Sequence, residues 1–192
     1  MKEEKRKRKL KVIGIIGKIA SGKGTAADFF VKDYGFKQIT MSNFLREEAK
    51  RRHRYPSREY LRKLQAELRK EFGQNILVDK AIETIKDNQD KYKGFVIDGL
   101  RDFREAKYAK RKLKLKIVLI EASPMMRFKR AKERHRKGFD KTYEQFLYDD
   151  SMETAIFDFS KTMKLADFIV SSEEGKEAMY KDLRKIAKKL GF

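Results

Sequence analysis

Short β-branched and apolar runs alternate along this chain with longer stretches whose apolar residues recur every three or four positions. The runs are 11–16, 94–98 (Gly94-Phe95-Val96-Ile97-Asp98), 115–120 (Leu115-Lys116-Ile117-Val118-Leu119-Ile120) and 166–170 (Ala166-Asp167-Phe168-Ile169-Val170), with a weaker one at Phe36-Lys37-Gln38-Ile39. Parallel strands need crossover connections, and right-handed crossovers lay helices on both faces of a sheet. The pattern therefore predicts an α/β fold, a three-layer α/β/α sandwich around a five-stranded parallel sheet. Ligands of such sheets bind at the carboxyl ends of the strands.

Two helical stretches interrupt the alternation. The first, about 42–88, repeats Leu61, Leu64, Leu68 and Phe72 at helical spacing and is broken by Pro56-Ser57, with Ser57 in position to cap the next helix. The second, about 125–148, follows Ser123-Pro124, a cap residue and a proline at the first helical position. Neither internal repeats nor a low-complexity linker divide the chain. The expectation is one domain over 11–192, preceded by a basic tail at 1–10.

The first apolar run, Val12-Ile13-Gly14-Ile15-Ile16, leads into Gly17-Lys18-Ile19-Ala20-Ser21-Gly22-Lys23-Gly24-Thr25 and then into the helical pattern of Ala26-Ala27-Asp28-Phe29-Phe30-Val31. A glycine-rich turn between a strand and a helix lets consecutive backbone N–H groups wrap an anion. The helix N-terminus adds partial positive charge, and Lys23 sits where it reaches the β- and γ-phosphates. Gly17, Ala20, Ser21, Gly22, Lys23, Gly24 and Thr25 are thus the expected binders of a nucleoside triphosphate. The strict motif places Ser or Thr directly after the lysine to hold magnesium; here Gly24 stands there and Thr25 follows.

Composition narrows the partners. A chain of 192 residues is long enough for a sizeable core, and a hydrophobic content of 40% supports a globular fold beside 41% charged residues. The absence of cysteine excludes disulfides, thiol catalysis and thiolate zinc sites, and makes the cytoplasm the expected location. The basic start Met1-Lys2-Glu3-Glu4-Lys5-Arg6-Lys7-Arg8-Lys9 precedes an apolar run too short for export or a membrane span. A net charge of +20 attracts polyanions, which keeps nucleic acid beside small phosphorylated substrates as a partner. A solvated lysine-rich surface of the kind found in heat-tolerant proteins accounts for the same charge.

Further candidates lie where strands give way to helices. Ser42 is expected to cap a helix, with Arg46 one turn later on the same face; an ion pair with Glu47 or Glu48 is the alternative role for Arg46. Asp98, in Val96-Ile97-Asp98-Gly99-Leu100-Arg101, falls at a strand's carboxyl end, where a carboxylate holds magnesium through water. Arg127, Arg130 and Arg134 share a helical face, with Arg136 beyond, and so many like charges repel unless an anion joins them. Asp140, Asp149 and Asp150 either latch those arginines or are solvated. His53 and His135 lack metal-ligand spacing and are assigned to the surface.

The G-K-G-T form of the loop resembles the adenylate kinase and nucleoside monophosphate kinase branch of P-loop proteins. Met41-Ser42-Asn43-Phe44-Leu45-Arg46 looks like that family's S-x-G-D-x-x-R segment, with Asn43 in place of the usual acid, and Asp98-Gly99-Leu100-Arg101 resembles D-G-x-P-R without the proline. With Glu121-Ala122-Ser123-Pro124-Met125-Met126-Arg127 and Ala166-Asp167-Phe168-Ile169-Val170, these segments resemble an uncharacterised archaeal and bacterial group of P-loop kinases described as similar to nucleoside monophosphate kinases or dephospho-coenzyme A kinases. The resemblance implies a P-loop NTPase fold in which 42–88 binds the acceptor and 125–148 is a lid. It implies that Ser42, Arg46, Asp98 and Arg101 serve the acceptor. Lys23, Arg101, Arg130, Arg134 and Arg136 would act on the transferring phosphoryl group, Ser171 and Ser172 would lie at the adenine, and Mg2+ would be held by Asp98 and Thr25.

Asn43 leaves no carboxylate where dephospho-coenzyme A kinases place their base. A monophosphate acceptor needs none, because its second pKa near 6 leaves it largely dianionic at neutral pH. The leading expectation is therefore transfer from ATP to a nucleoside or deoxynucleoside monophosphate. Transfer to a hydroxyl, with Asp98 as base, and an RNA- or ribosome-associated ATPase remain as alternatives.

Overall fold

A computed structural model describes residues 10–134 and 140–192; the side chain of Arg58 is not described. The tail at 1–9, His135 and Arg136 lie outside the described residues. The elements run β1 (Val12–Ile16), α1 (Lys23–Tyr34), β2 (Phe36–Thr40), α2 (Met41–Arg51), α3 (Arg58–Phe72), α4 (Ile76–Asn88), β3 (Gly94–Asp98) and α5 (Phe103–Leu113). They continue as β4 (Lys116–Glu121), α6 (Pro124–Glu133), α7 (Tyr143–Ile156), α8 (Phe159–Met163), β5 (Phe168–Ser171) and α9 (Lys176–Lys189).

The five strands form one parallel sheet in the order β2-β3-β1-β4-β5. Side chains alternate across it, as the period of two in a strand requires. Ile13, Ile15, Val96, Val118, Ile120 and Val170 pack with α1 and α9 on one face. Val12, Ile16, Phe95, Ile97, Ile117 and Leu119 pack with residues of α2 to α5 and α8 on the other. The result is the three-layer sandwich expected from the sequence.

The chain leaves β1 for β2, returns to β3 beside β1, and then crosses to β4 on the opposite side of β1. The carboxyl end of β1 is therefore where the crossovers diverge, the place where open parallel sheets leave a crevice for ligands.

Both helical insertions form. Ser57 caps α3 by accepting from the Tyr60 N–H at 3.1 Å, and Leu61, Leu64 and Leu68 are buried in the core that α3 shares with α2 and α4. Ser123 caps α6 from the Met126 N–H at 3.3 Å, with Pro124 opening the helix. The second insertion runs further than 148: α7 continues to Ile156 and α8 follows before β5 begins. Among the described residues no helix is long and apolar enough to cross a membrane.

Candidate phosphate-binding site

The loop after β1 is shaped by contacts that tolerate few side chains. A Cβ at Gly17 would lie 2.5 Å from both the Ile120 carbonyl oxygen and Ser21 Oγ, so the chain turns there only as glycine. Ala20 (φ 58°) and Gly22 (φ 99°) both sit in the left-handed region, a conformation that turns successive N–H groups into a shared concavity. Gly22 has no side chain to cap α1, and no acid lies in that helix's first turn. The unsatisfied N–H groups and the positive end of the helix dipole are thus left to an anion. Lys23 Nζ donates to the Lys18 carbonyl at 2.7 Å, which folds its ammonium back across the loop.

Asp98 ends β3 beside this loop, in register with Ile15 of β1 and Thr40 of β2. Its Oδ1 is buried without a hydrogen-bond partner. Burial pushes the carboxyl above the usual range; the charges of Lys23 and Arg101 oppose the shift, and Asp28 adds to it. A buried carboxylate oxygen with nothing to accept from suits a hydrated cation. Magnesium keeps several waters and is generally held by one or two carboxylates together with substrate phosphates. The donors here match that pattern: among the described residues no group of three or more His, Cys, Asp or Glu could hold a metal ion by itself. Thr25, half-buried in the first turn of α1, offers a hydroxyl two residues after Lys23, while a Cβ at Gly24 would meet nothing within 4 Å.

The four arginines that the sequence offers near the loop take four different positions. Arg101 reaches across to α7 and donates to Glu153 at 2.6 Å. Arg127 is buried and forms a two-pronged pair with Asp150 at 2.6 and 3.0 Å, and Asp150 also accepts from Lys18 at 2.9 Å. Burial works to raise the Asp150 carboxyl, but the hydrogen bonds and charges of Arg127 and Lys18 outweigh it and hold it below the usual range. Arg130 donates to the Ser172 hydroxyl at 2.8 Å and to its carbonyl at 2.5 Å. The Ser172 hydroxyl in turn donates to the Ser21 carbonyl at 2.7 Å, so this buried serine ties β5 to the phosphate loop. Ser171 is exposed beside Glu121 of β4, and Arg134 is exposed at the end of α6.

On the acceptor side the helix starts two residues sooner than expected. Thr40 is the N-cap of α2, because β2 passes directly into the helix, and Ser42 lies half-buried in the first turn instead of capping it. Arg46 is exposed and makes no salt bridge among the described residues. Glu48, the alternative partner expected for it, is engaged by Arg51 and Arg52, which lower its carboxyl to about 2.

Between loop and insertion opens a small cleft lined by Gly17, Lys18, Ile19, Arg101, Asp150, Glu153, Thr154, Phe157 and Phe159. Lys18, Glu153, Phe157 and Phe159 were not among the candidates read from the sequence. The three-residue spacing of Asp150 and Glu153 on one helix was the available signal.

A parallel sheet in this order, with a phosphate-type loop after its central strand, defines the P-loop kinase-like fold. The chain belongs to the AAA domain family, whose model matches residues 16–146. It is 28% identical over 184 residues to a UPF0200 protein of Thermococcus sibiricus, covering 94% of this chain and 96% of the relative. A UPF0200 protein of Methanocaldococcus jannaschii is also 28% identical, over 93% of this chain and 90% of its own length. Among solved structures, shikimate kinase from Bacteroides thetaiotaomicron superposes with a TM-score of 0.57 over 95% of this chain and 99% of its own, at 14% identity.

Proposed function

We propose that the protein transfers the γ-phosphoryl group of ATP to a nucleoside or deoxynucleoside monophosphate. The observation that carries this reading is the uncapped N-terminus of α1 beneath a loop bent by Ala20 and Gly22, an anion cradle that opens into a cleft bordered by Arg101. Loop amides and Lys23 grip the donor phosphates. Asp98, through water, and Thr25 would hold Mg2+, which when bound neutralises charge on the phosphate oxygens. Arg46 and Arg101 hold the acceptor phosphate, with Ser42 beside Arg46 at the start of α2. Arg134, at the end of α6, comes from the lid side. Arg130 acts through its hold on Ser172, which orients the loop, and Ser171 lies on the adenine side. Phosphoryl transfer needs little covalent chemistry from the protein, so positioning and charge neutralisation supply the rate.

One observation favours a second acceptor class. The Asp98 carboxyl, raised by burial and short of one hydrogen bond, is suited to take a proton from a hydroxyl, as a dephospho-coenzyme A kinase-like reaction requires. A single panel separates the two. Purified protein with magnesium-ATP is offered ribo- and deoxyribonucleoside monophosphates and dephospho-coenzyme A, and phosphorylated products are resolved. A diphosphate product supports the leading reading. Product from dephospho-coenzyme A alone replaces it with the second, and ADP release without any phosphorylated product removes both.

A further inference from the structure

Away from the phosphate site, the outer face of α5 carries an unbalanced row of charge. Arg104, Lys107, Arg111 and Lys114 follow one another at spacings of three, four and three, which places them on one side of the helix, with Lys112 alongside. All five are exposed, and none forms a salt bridge among the described residues. The acids near them are committed elsewhere. Glu105 is buried against Arg69 at 2.8 Å, Asp102 caps the helix, and Asp167 is held by Lys110 and Lys116.

The other described helices of eight or more residues each expose at least one acid. On α9, a helix of similar basicity, Lys185 pairs with Asp182, and Arg184 with Asp33 of α1. On α3, Lys63 pairs with Glu59. Helix stability does not account for α5. Like charges three and four apart are destabilising, and Arg104 lies in the first turn, where the helix dipole disfavours a cation.

We propose that this face of α5 is a docking surface for the phosphate backbone of double-stranded RNA. The row from residue 104 to residue 114 spans about 15 Å at a rise of 1.5 Å per residue. It is a row of cations alone, the side chains that neutralise phosphates whatever the base sequence. Its aromatic rings are covered by their own cations, Lys107 over Phe103 and Arg111 and Lys112 over Tyr108. That leaves no open ring on which single-stranded bases would stack. The narrow major groove of an A-form duplex brings two phosphate rows close together without presenting bases, which suits a rod of positive charge. The wide groove of B-form DNA sets a helix against base edges instead.

The test uses the full chain and an RNA duplex of about 20 base pairs, longer than the roughly 16 that a shape-reading domain spans. Binding is followed by fluorescence anisotropy across a salt series. Changing Arg104, Lys107, Arg111 and Lys114 together to Gln is expected to weaken binding at least tenfold and to flatten the salt slope by about three units. A control changing Lys181, Lys185, Lys188 and Lys189 to Gln removes the same charge from α9 and is expected to stay within about twofold. Should the α5 variant fail to fold by circular dichroism, its two halves are measured, each expected to lose about threefold.

Equal losses in both variants would overturn the proposal, since net charge would then be the cause. So would the lack of wild-type binding at about 10 µM protein in about 100 mM salt, or tighter binding to a DNA duplex or to vesicles of anionic lipid. None of these outcomes bears on the assignment of the phosphate loop.

Discussion

Arg101, just past the carboxyl end of β3, donates to Glu153 of α7 across 2.6 Å, and both side chains line the cleft beside the phosphate loop. Both are substantially exposed, at 50% and 37%, so water screens the pair and it is worth at most about 1 kcal/mol. A phosphate arriving at Arg101 has little to displace. Glu153→Gln is therefore expected to lower the KM for the phosphorylated acceptor by up to about fivefold with little change in kcat. An unchanged KM in steady-state kinetics would place the acceptor phosphate away from Arg101.

Lys23 rests on the carbonyl of Lys18, a bond it can exchange for a phosphate oxygen without leaving the loop. Lys23→Ala removes a cation aimed at charge that develops in transfer, and a loss of roughly 10²–10³ in kcat is expected with the fold intact. Thermal melting and single-turnover kinetics check the two halves. Wild-type turnover in a folded variant would remove the loop from the mechanism.

Gly24 tests the departure from the strict loop motif. Its backbone is ordinary helix and a Cβ would meet nothing within 4 Å, so a side chain is accommodated sterically. Gly24→Thr also removes the backbone-entropy cost of a glycine in the first turn of α1, a gain of at most a few tenths of a kcal/mol. The variant is expected to fold with unchanged or slightly raised Tm and to require less magnesium for half-maximal turnover, because a hydroxyl then stands directly after the lysine. A magnesium titration of activity reads the result; an increased requirement would mean that Thr25 and Asp98 already satisfy the ion.

Much of this site was legible in the chain. Gly17, Gly22 and Lys23 announce themselves because a phosphate loop is a local structure, set by glycine's backbone freedom and the strand and helix on either side. The strands were legible as β-branched runs, although β4 and β5 each end one residue later than their hydrophobicity suggests, where Glu121 still pairs with Ser171. The extent of α7 was not legible. Tyr148, Met152 and Ile156 are exposed while Phe146 is buried, so apolar residues occupy more than one face and the helical period is blurred. Nor could spacing say which arginine of α6 is internal. Arg127 and Arg130 are three apart on the same helix. Only the packing of Phe146 and Asp150 from α7 decides that Arg127 is the buried one, its guanidinium 5.4 Å from the Phe146 ring.

Asp98 sets function against stability. Its carboxyl is raised by burial, so the fold prefers the protonated form. With the folded value above the unfolded one, the stability this group contributes is present at low pH and is lost as pH rises from the ordinary carboxylate range through the raised value. Asp98→Asn is expected to melt with wild type near pH 3 and above it at pH 8, while losing phosphoryl transfer. A melting series across that range checks the sign; a variant less stable than wild type at pH 8 would mean that Lys23 and Arg101 outweigh the burial.

Asp150 runs the other way. Arg127 and Lys18 hold its carboxyl below the ordinary range despite burial, so its stabilisation is present above the unfolded value and disappears as pH falls through the depressed one. Removing one partner leaves a guanidinium that is only 3% exposed without its counter-charge. Asp150→Ala is expected to cost about 3–5 kcal/mol, measured by denaturant unfolding at pH 7. Replacing the pair together, Arg127→Met with Asp150→Leu, removes both desolvated charges and is expected to recover most of that loss. Lys18, at 31% side-chain exposure, remains solvated when Asp150 is gone and does not decide the outcome. If the double variant is no more stable than the single one, the pair is needed for its geometry, two parallel bonds joining α6 to α7 beneath the phosphate loop.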